Sequence, residues 1–261
     1  MTMDNITVEW FSDSCCYSVE ARSDIGSREQ QQDQAYLHIG KERIFAVVCD
    51  GMGGTSNGGN ASKMTVSIMQ SAYTDYCLEK NSDDSAFLYR AMADADKAVS
   101  SSAVCEDGGT TLVSVVISKN QMHWISVGDS KLYVMRSGEI LQATRDHNYR
   151  LWLDKMLQNG EIDTNIYEKE LERGDALISY IGKGNITLYD LTQSPFTLQQ
   201  GDTVLLTTDG LTNAISDEEI CSIVSLEKST VSKAEALLRS VQAEGIKRPQ
   251  DNSTFIIIDV L

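Results

Sequence analysis

Carboxylates stand where apolar runs stop. Asp50 follows Ile44-Phe45-Ala46-Val47-Val48-Cys49, and Asp129 follows Trp124-Ile125-Ser126-Val127-Gly128. Asp209 follows Val204-Leu205-Leu206-Thr207-Thr208, and Asp251 lies just before Phe255-Ile256-Ile257-Ile258. A buried strand that ends on a carboxylate holds an oxygen ligand rigidly at the edge of a core, and several such strands can converge on one hard cation. Each aspartate also has a plainer reading as a turn residue, because Asp accepts local backbone hydrogen bonds and a following Gly tolerates positive φ. Taken singly, that reading is the default. Taken together, the aspartates point to metal-assisted chemistry. Oxygen donors favour Mg²⁺ or Mn²⁺. The three histidines, His38, His123 and His147, sit in unrelated contexts, and the six cysteines form no C-x-x-C pair, so a His- or thiolate-built site is not expected.

The elements that must carry these residues are legible as periodicity. Strands are expected over 17–22, 35–39 and 43–49, with Gly40-Lys41 as a hairpin turn and a glycine-rich bend over 51–59. Ala61, Met64, Ile68, Ala72 and Tyr76 recur three or four apart, as do Phe87, Ala91, Ala95 and Val99; this spacing predicts two amphipathic helices. Strands over 111–118, 121–127, 131–136 and 139–143 predict an antiparallel meander. Short helices are expected over 149–158 and 165–173, then strands over 186–191 and 203–208. Helices over 217–224 and 231–241 and a last strand over 253–260 complete the pattern. Ser216 with Glu219 and Ser232 with Glu235 fit capping boxes. Strands on both sides of two helices, with more helices late in the chain, predict an α+β sandwich whose sheets are covered by helices.

Composition narrows the function classes. The chain has 261 residues, is 41% hydrophobic, and contains only Pro195 and Pro249 with no linker-like tract, so one domain over 1–261 is expected. A net charge of −16 without a basic block argues against nucleic-acid or anionic-membrane partners. Divalent cations would reconcile so acidic a chain with an anionic substrate. Met1 to Trp10 has neither the basic start nor the apolar segment of an export signal, so a cytoplasmic chain with reduced thiols is expected. Asp83-Asp84, Asp94, Asp96, Glu218-Glu219 and the acidic run 168–172 are expected to be solvated helix faces. The glycines at 51, 53, 54, 58 and 59 lack the Gly-Lys-Ser/Thr of a P-loop and read as a tight bend letting backbone approach metal.

The same residues carry a family resemblance. Asp50-Gly51-Met52-Gly53-Gly54 after a strand resembles the DGMGG signature of the metal-dependent protein phosphatases, the protein phosphatase 2C family, in its bacterial type. Arg28 with Gln31-Gln32-Asp33 is similar to its R-x-x-N-E/Q-D element, and Gly108-Gly109-Thr110-Thr111 to its G-S/G-T-T/A element. Val127-Gly128-Asp129-Ser130-Lys131-Leu132-Tyr133 resembles V-G-D-S-R-x-Y, and Arg145-Asp146-His147 resembles the x-x-D-H segment. Thr208-Asp209-Gly210-Leu211 and Asp251-Asn252-Ser253-Thr254 resemble the S/T-D-G-L and D-N-x-T elements. The elements come in the family's order, from about Arg22 to Val260.

The resemblance implies a four-layer α-β-β-α fold and an Mn²⁺/Mg²⁺-dependent serine/threonine protein phosphatase with two metal ions and room for a weaker third. Asp50 would bridge the two ions, the Gly51 carbonyl would bind one, and Asp209 and Asp251 would complete the other. Asp129 would serve the third position together with Asp209. Such ions, about 3.5–4 Å apart, lower the pKa of a shared water from about 16 towards neutrality, which supplies hydroxide without a dedicated base. Asp33 would orient that water. Arg28 would grip phosphate oxygens in bidentate fashion, against the plainer reading of a surface arginine paired with Glu29 or Asp24. The implied partner is a phosphorylated protein, opposite a Ser/Thr kinase, and a monomer is expected. Residues 148–184 would form a flap over the site, with Ser179 to Gly184 only loosely similar to the family's R-x-L-G segment. Gln31 and Gln32 stand where the family often has Asn and Glu/Gln; where Gln32 replaces a carboxylate, one water-mediated metal contact would lose its charge. Met52 replaces the histidine of many eukaryotic members, so no general acid is expected there. Two other readings remain at this point: a non-catalytic phosphatase-fold module that binds a phosphoprotein, and hydrolysis of another phosphoester, for which no basic groove is evident.

Overall fold

A computed structural model describes residues 6–11, 16–40, 43–53, 57–78 and 83–261; Lys41 of the hairpin turn, Gly54 of the bend and Cys15 lie outside them. The strands, in order, are β1 (Ile6–Phe11), β2 (Cys16–Asp24), β3 (Gln34–Ile39), β4 (Arg43–Cys49), β5 (Gly51–Met52), β6 (Gly109–Thr110) and β7 (Leu112–Ser118). They continue as β8 (Gln121–Val127), β9 (Lys131–Arg136), β10 (Glu139–Gln142), β11 (Asp190–Leu191), β12 (Phe196–Thr197), β13 (Thr203–Thr207) and β14 (Ser253–Val260). The helices are α1 (Asn57–Tyr76), α2 (Asp84–Ser100), α3 (Tyr149–Gln158), α4 (Thr164–Glu170), α5 (Asp209–Ala214), α6 (Asp217–Leu226) and α7 (Thr230–Gly245).

Two antiparallel sheets face each other. One runs β1-β2-β14-β13-β9-β10 and the other β11-β8-β7-β4-β3, with β12 also against β8. The strand sequences explain why both sheets are covered twice. In β4, Ile44, Ala46 and Val48 point into the core between the sheets, while Phe45, Val47 and Cys49 meet α1 and α2. In β14, Ile256 and Ile258 join the same central core, while Phe255 and Ile257 meet α5, α6 and α7. Strands buried on both faces read as unbroken apolar runs, and they demand a helical layer outside each sheet. The result is the expected α-β-β-α sandwich. Among the described residues no helix is long and apolar enough to cross a membrane.

The expected meander over 111–143 is corrected. β7 and β8 are hydrogen-bonded, but β8 and β9 belong to different sheets, and β9 instead pairs with β13. Strand periodicity says nothing of pairing partners that lie far off in sequence. The crossing is made at Gly128 (φ +97°), where an added Cβ would stand 2.7 Å from Thr111 Cγ2. It leaves Asp129 at the rim of the sandwich, between the sheets.

Smaller differences follow from packing. The strand expected over 186–191 shortens to β11, because Ile186 and Tyr189 pack against the helical core instead. The bend expected over 51–59 ends early, since α1 begins at Asn57 and takes in Gly58 and Gly59. The capping box of α7 is built by Ser229 with Ser232, three residues before the expected one, and Ser216 receives the Glu219 amide at the start of α6.

The strand that delivers Asp50 depends on its aromatic packing. Phe45 is fully buried, with its ring stacked 4.3 Å from that of Tyr73 on α1. Phe45→Ala should cost about 3–5 kcal/mol of stability, read as a lowered urea midpoint. An unchanged midpoint would show that this layer is not tightly packed.

Candidate metal centre

Backbone contacts gather the predicted site residues at one rim of the sandwich. The Asp50 amide donates to Thr111 Oγ1 (2.9 Å), and the Asp50 carbonyl accepts from Thr110 Oγ1 (2.7 Å) and the Thr111 amide (2.9 Å). The Gly-Gly-Thr-Thr element is thus a clamp on the end of β4. Gly51 donates its amide to the Gln32 carbonyl, and a Cβ there would stand 2.3 Å from the Gly58 carbonyl oxygen, so only glycine fits. Gln32 also donates its amide to Asn252 Oδ1 (2.8 Å) and takes the Ser62 hydroxyl on its carbonyl. Its backbone joins the segments that carry Asp33, Gly51 and Asp251. At the other side, a Cβ on Gly210 would come within 1.9 Å of the Asn252 carbonyl oxygen. The start of α5 therefore lies backbone-to-backbone on the turn before β14, which brings Asp209 beside Asp251.

The side chains show what this proximity costs. Burial, and then the charges of Asp33, Asp209, Asp129 and Asp251, push the Asp50 carboxyl well above its ordinary range. Asp33, only 2% exposed, is pushed up to about 7, chiefly by burial and partly offset by the Thr208 hydroxyl on its Oδ2 (2.9 Å). Asp129 is also pushed up to about 7, by burial and then by Asp209 and Asp146. Asp209 is raised by burial and by Asp251, while Asp50 lies within hydrogen-bonding reach of it and Asn213 Nδ2 donates to its Oδ2 (3.0 Å). Carboxylates that mutually raise one another's pKa are a site short of positive charge.

Arg28 supplies some of it. Its guanidinium, 60% exposed, donates to Asp251 Oδ2, and not to Glu29 or Asp24. Asp24 instead receives the Gly26 amide and the Gln242 side chain. Two buried oxygens, Asp33 Oδ1 and Asp209 Oδ1, have no hydrogen-bond partner. Buried carboxylate oxygens without donors fit a hard divalent cation and its water. Among the described residues no three His, Cys, Asp or Glu side chains close into a ready-made metal cage. Asp251 is drawn to Arg28, while Asp50 and Asp209 stay within hydrogen-bonding reach of each other. Mg²⁺ and Mn²⁺ suit such a set, since Mg²⁺ keeps several waters and needs only one or two carboxylates.

Several residues have positioning roles that the sequence did not show. Thr208 connects Asp33 to β14 by also receiving the Thr254 amide on its hydroxyl (3.0 Å). His147, fully buried, accepts the Gly128 amide on Nδ1 (3.2 Å) while its own amide donates to the Gly128 carbonyl (2.9 Å), so it sets the turn that presents Asp129. Gln31 holds the backbone before Asp33, donating to Ser23 Oγ and accepting the Asp33 amide. Asp96 is a correction: expected on a solvated face, it is 4% exposed and accepts the Gly182 (2.9 Å) and Gly184 (3.0 Å) amides. Asp84 is likewise drawn in, accepting from the Tyr76 hydroxyl and from Ser118 Oγ (3.1 Å), whereas Asp83 is exposed as expected and caps α2, receiving the Ser85 and Ala86 amides. The excursion 148–184 leaves and returns at one point, with the Ile178 and Ser179 amides on the His147 carbonyl. It then bridges Ile181 to Thr110, the partner of Gly51.

The sequence and the fold match a known family. A sequence profile described as protein phosphatase 2C matches residues 21–249, and the chain belongs to that family. It is 28% identical over 247 residues to the serine/threonine phosphatase stp of Listeria welshimeri, covering 92% of this chain and 94% of that one. The protein phosphatase PhpP of Streptococcus pneumoniae is 27% identical, with 91% and 95% covered. Among solved structures, the S. agalactiae serine/threonine phosphatase superposes with a TM-score of 0.79 at 25% identity, covering 94% of this chain and all (100%) of that one. The catalytic domain of PstP, crystallised with two manganese ions, gives 0.73 at 26% identity, with 94% and 98% covered.

The carboxyl shifts set a pH dependence for the metal-free protein. Asp33 and Asp129 titrate near 7 in the folded chain and near 4 when unfolded, so between these values the folded state binds more protons. Stability is then greatest towards pH 4 and is lost as pH rises through about 7. With chelator present, the melting temperature should be higher at pH 5.5 than at pH 8, and Mn²⁺ should raise the pH 8 value selectively. Equal melting temperatures at both pH values, with and without Mn²⁺, would contradict a strained carboxylate cluster.

Proposed function

We propose that this chain is a Mn²⁺- or Mg²⁺-dependent serine/threonine protein phosphatase that hydrolyses phosphoserine and phosphothreonine by direct attack of water, without a phospho-enzyme. The observation that carries this reading is a rim of mutually repelling buried carboxylates, two with donor-free oxygens, beside an exposed arginine. In this reading Asp50, the Gly51 carbonyl, Asp209 and Asp251 would hold two cations, and Asp129 would contribute to a weaker third. Bound divalent cations supply Lewis-acid activation of the attacking water and neutralise phosphoryl charge. The chain's own residues do the rest. Thr208 fixes one oxygen of Asp33 and leaves the other as an acceptor that aligns the water's O–H. Arg28 is held near the site by Asp251 and exchanges that partner for two phosphate oxygens, which turns phosphorus for in-line attack. Met52 carries no proton to donate, so the leaving alkoxide takes its proton from solvent.

The enzyme names of the family relatives favour catalysis over the binding-module alternative. The acidic chain also disfavours a nucleic-acid substrate. In this reading the substrate is a phosphorylated protein supplied by a Ser/Thr kinase. The chain acts as a cytoplasmic monomer with one domain, and 148–184 is the flap that frames access to the metals.

Hydrolysis of p-nitrophenyl phosphate should require Mn²⁺ and stop with chelator. Asp50→Asn and Asp209→Asn should each lower it by about a hundredfold or more with an unchanged circular dichroism spectrum. Arg28→Ala should raise KM more than it lowers kcat. Undiminished turnover in the Asp50 variant would refute the assignment.

A further inference from the structure

A cleft of about 670 Å³ opens beside the proposed centre, starting at Met52 and Gly53, two and three residues after Asp50. That volume is typical of sites that take a small ligand or a single side chain with its neighbours. Its wall towards the metals is backbone. A Cβ on Gly53 would stand 3.0 Å from Gly108 Cα and 3.1 Å from the Asp107 carbonyl oxygen, so these two segments touch without side chains between them. The opposite wall is held in place. A Cβ on Gly109 would strike the Tyr180 ring at 2.6 Å, so that ring rests directly on β6, and the buried Asp96 carboxylate fastens the Gly182 and Gly184 amides behind it. The cleft is therefore preformed and not a gap between loose loops.

Its electrostatics select one kind of occupant. Glu106 and Asp107 are the only charged residues among its described lining; both are exposed, and neither forms an ion pair among the described residues. The last turn of α2, through Ser101, closes one end, and its Lys97 lies outside the lining. No Lys or Arg of the described lining offsets this charge. A phosphate lodges at Arg28 and the metals, whereas this neighbouring space repels anions and attracts a cation.

We propose that the cleft is a substrate subsite that takes a Lys or Arg side chain flanking the phosphorylated residue. It rests on the phosphatase reading of the adjacent carboxylates. An extended peptide advances about 3.3–3.6 Å per residue, so a basic residue within a few positions of the phosphoresidue reaches it. The acidic pair thereby makes the enzyme a phosphatase for phosphosites in basic sequence.

Steady-state kinetics on three phosphothreonine peptides, with Arg, Ala or Glu at the flanking positions, tests this. Peptide kcat/KM should fall in the order Arg, Ala, Glu, with about three- to tenfold between Arg and Ala at low salt and less at high salt. In the double variant Glu106→Gln/Asp107→Asn the preference should vanish while p-nitrophenyl phosphate hydrolysis is unchanged. Asn keeps the left-handed backbone of position 107 (φ 58°) accessible, so charge is removed without altering the turn. Equal kcat/KM for the three peptides in the native protein, or a preference that survives in the double variant, would overturn the subsite. Failure of the native protein to hydrolyse p-nitrophenyl phosphate would overturn the phosphatase reading, and the subsite with it.

Discussion

Carboxylates that repel one another are held together at the rim of this sandwich by contacts between bare backbones. Asp50, Asp209, Asp33 and Asp129 each sit above the ordinary carboxylate range, with burial the first cause and a neighbouring carboxylate among the others. Left to themselves such groups would separate or take up protons. The chain does not let them separate. Gly51 lies against Gly58, and Gly210 against the Asn252 carbonyl, at distances no side chain could tolerate. The folding free energy of three packed cores thus maintains a charge arrangement that is unfavourable in the absence of cations. That is how a binding site is preorganised: the scaffold bears the repulsion, and the ligand relieves it.

The layers explain why the rim exists at all. β4 and β13 are interior strands in opposite sheets, each buried on both faces, and each is followed within two residues by an aspartate as the chain leaves the core. The crossing at Gly128 adds Asp129 between the sheets, and His147 locks that turn from behind. Thr208 and Thr254 connect β13 to β14, and the same threonine hydroxyl fixes Asp33. Long-range hydrogen bonds, rather than any local motif, make the aspartates neighbours. The excursion 148–184 joins this system through Ile181 and Thr110, so the segment beside the site is tied to the backbone that carries Gly51.

Much of this was legible in the chain because it is local. β4, β14 and α3 lie where apolar runs and helical spacing place them, and an aspartate at a strand end is visible without knowing the partner strand. What stayed hidden depends on pairing across long stretches of sequence. Nothing in 121–136 tells β8 from β9 as members of separate sheets, since β9 finds its partner in β13. Asp96 looks like any exposed acid on an amphipathic helix until its acceptors' partners, Gly182 and Gly184, arrive from 86 and 88 residues away. Arg28 was expected to bind phosphate or a nearby acid; its partner Asp251 lies 223 residues further on and is itself a proposed ligand. Thr208 was visible only as a letter of a motif, not as the residue that leaves one oxygen of Asp33 without a donor.

The central claim is that the repelling carboxylates are a charge complement for two cations. Crystals soaked in manganese, with diffraction collected at the manganese absorption edge, test it most directly. Two anomalous peaks are predicted, both beside Asp50, one also at the Gly51 carbonyl and the other also at Asp209 and Asp251, with Asp251 turned away from Arg28. Anomalous density elsewhere only, with these side chains still separate and Asp251 still on Arg28, would contradict the account.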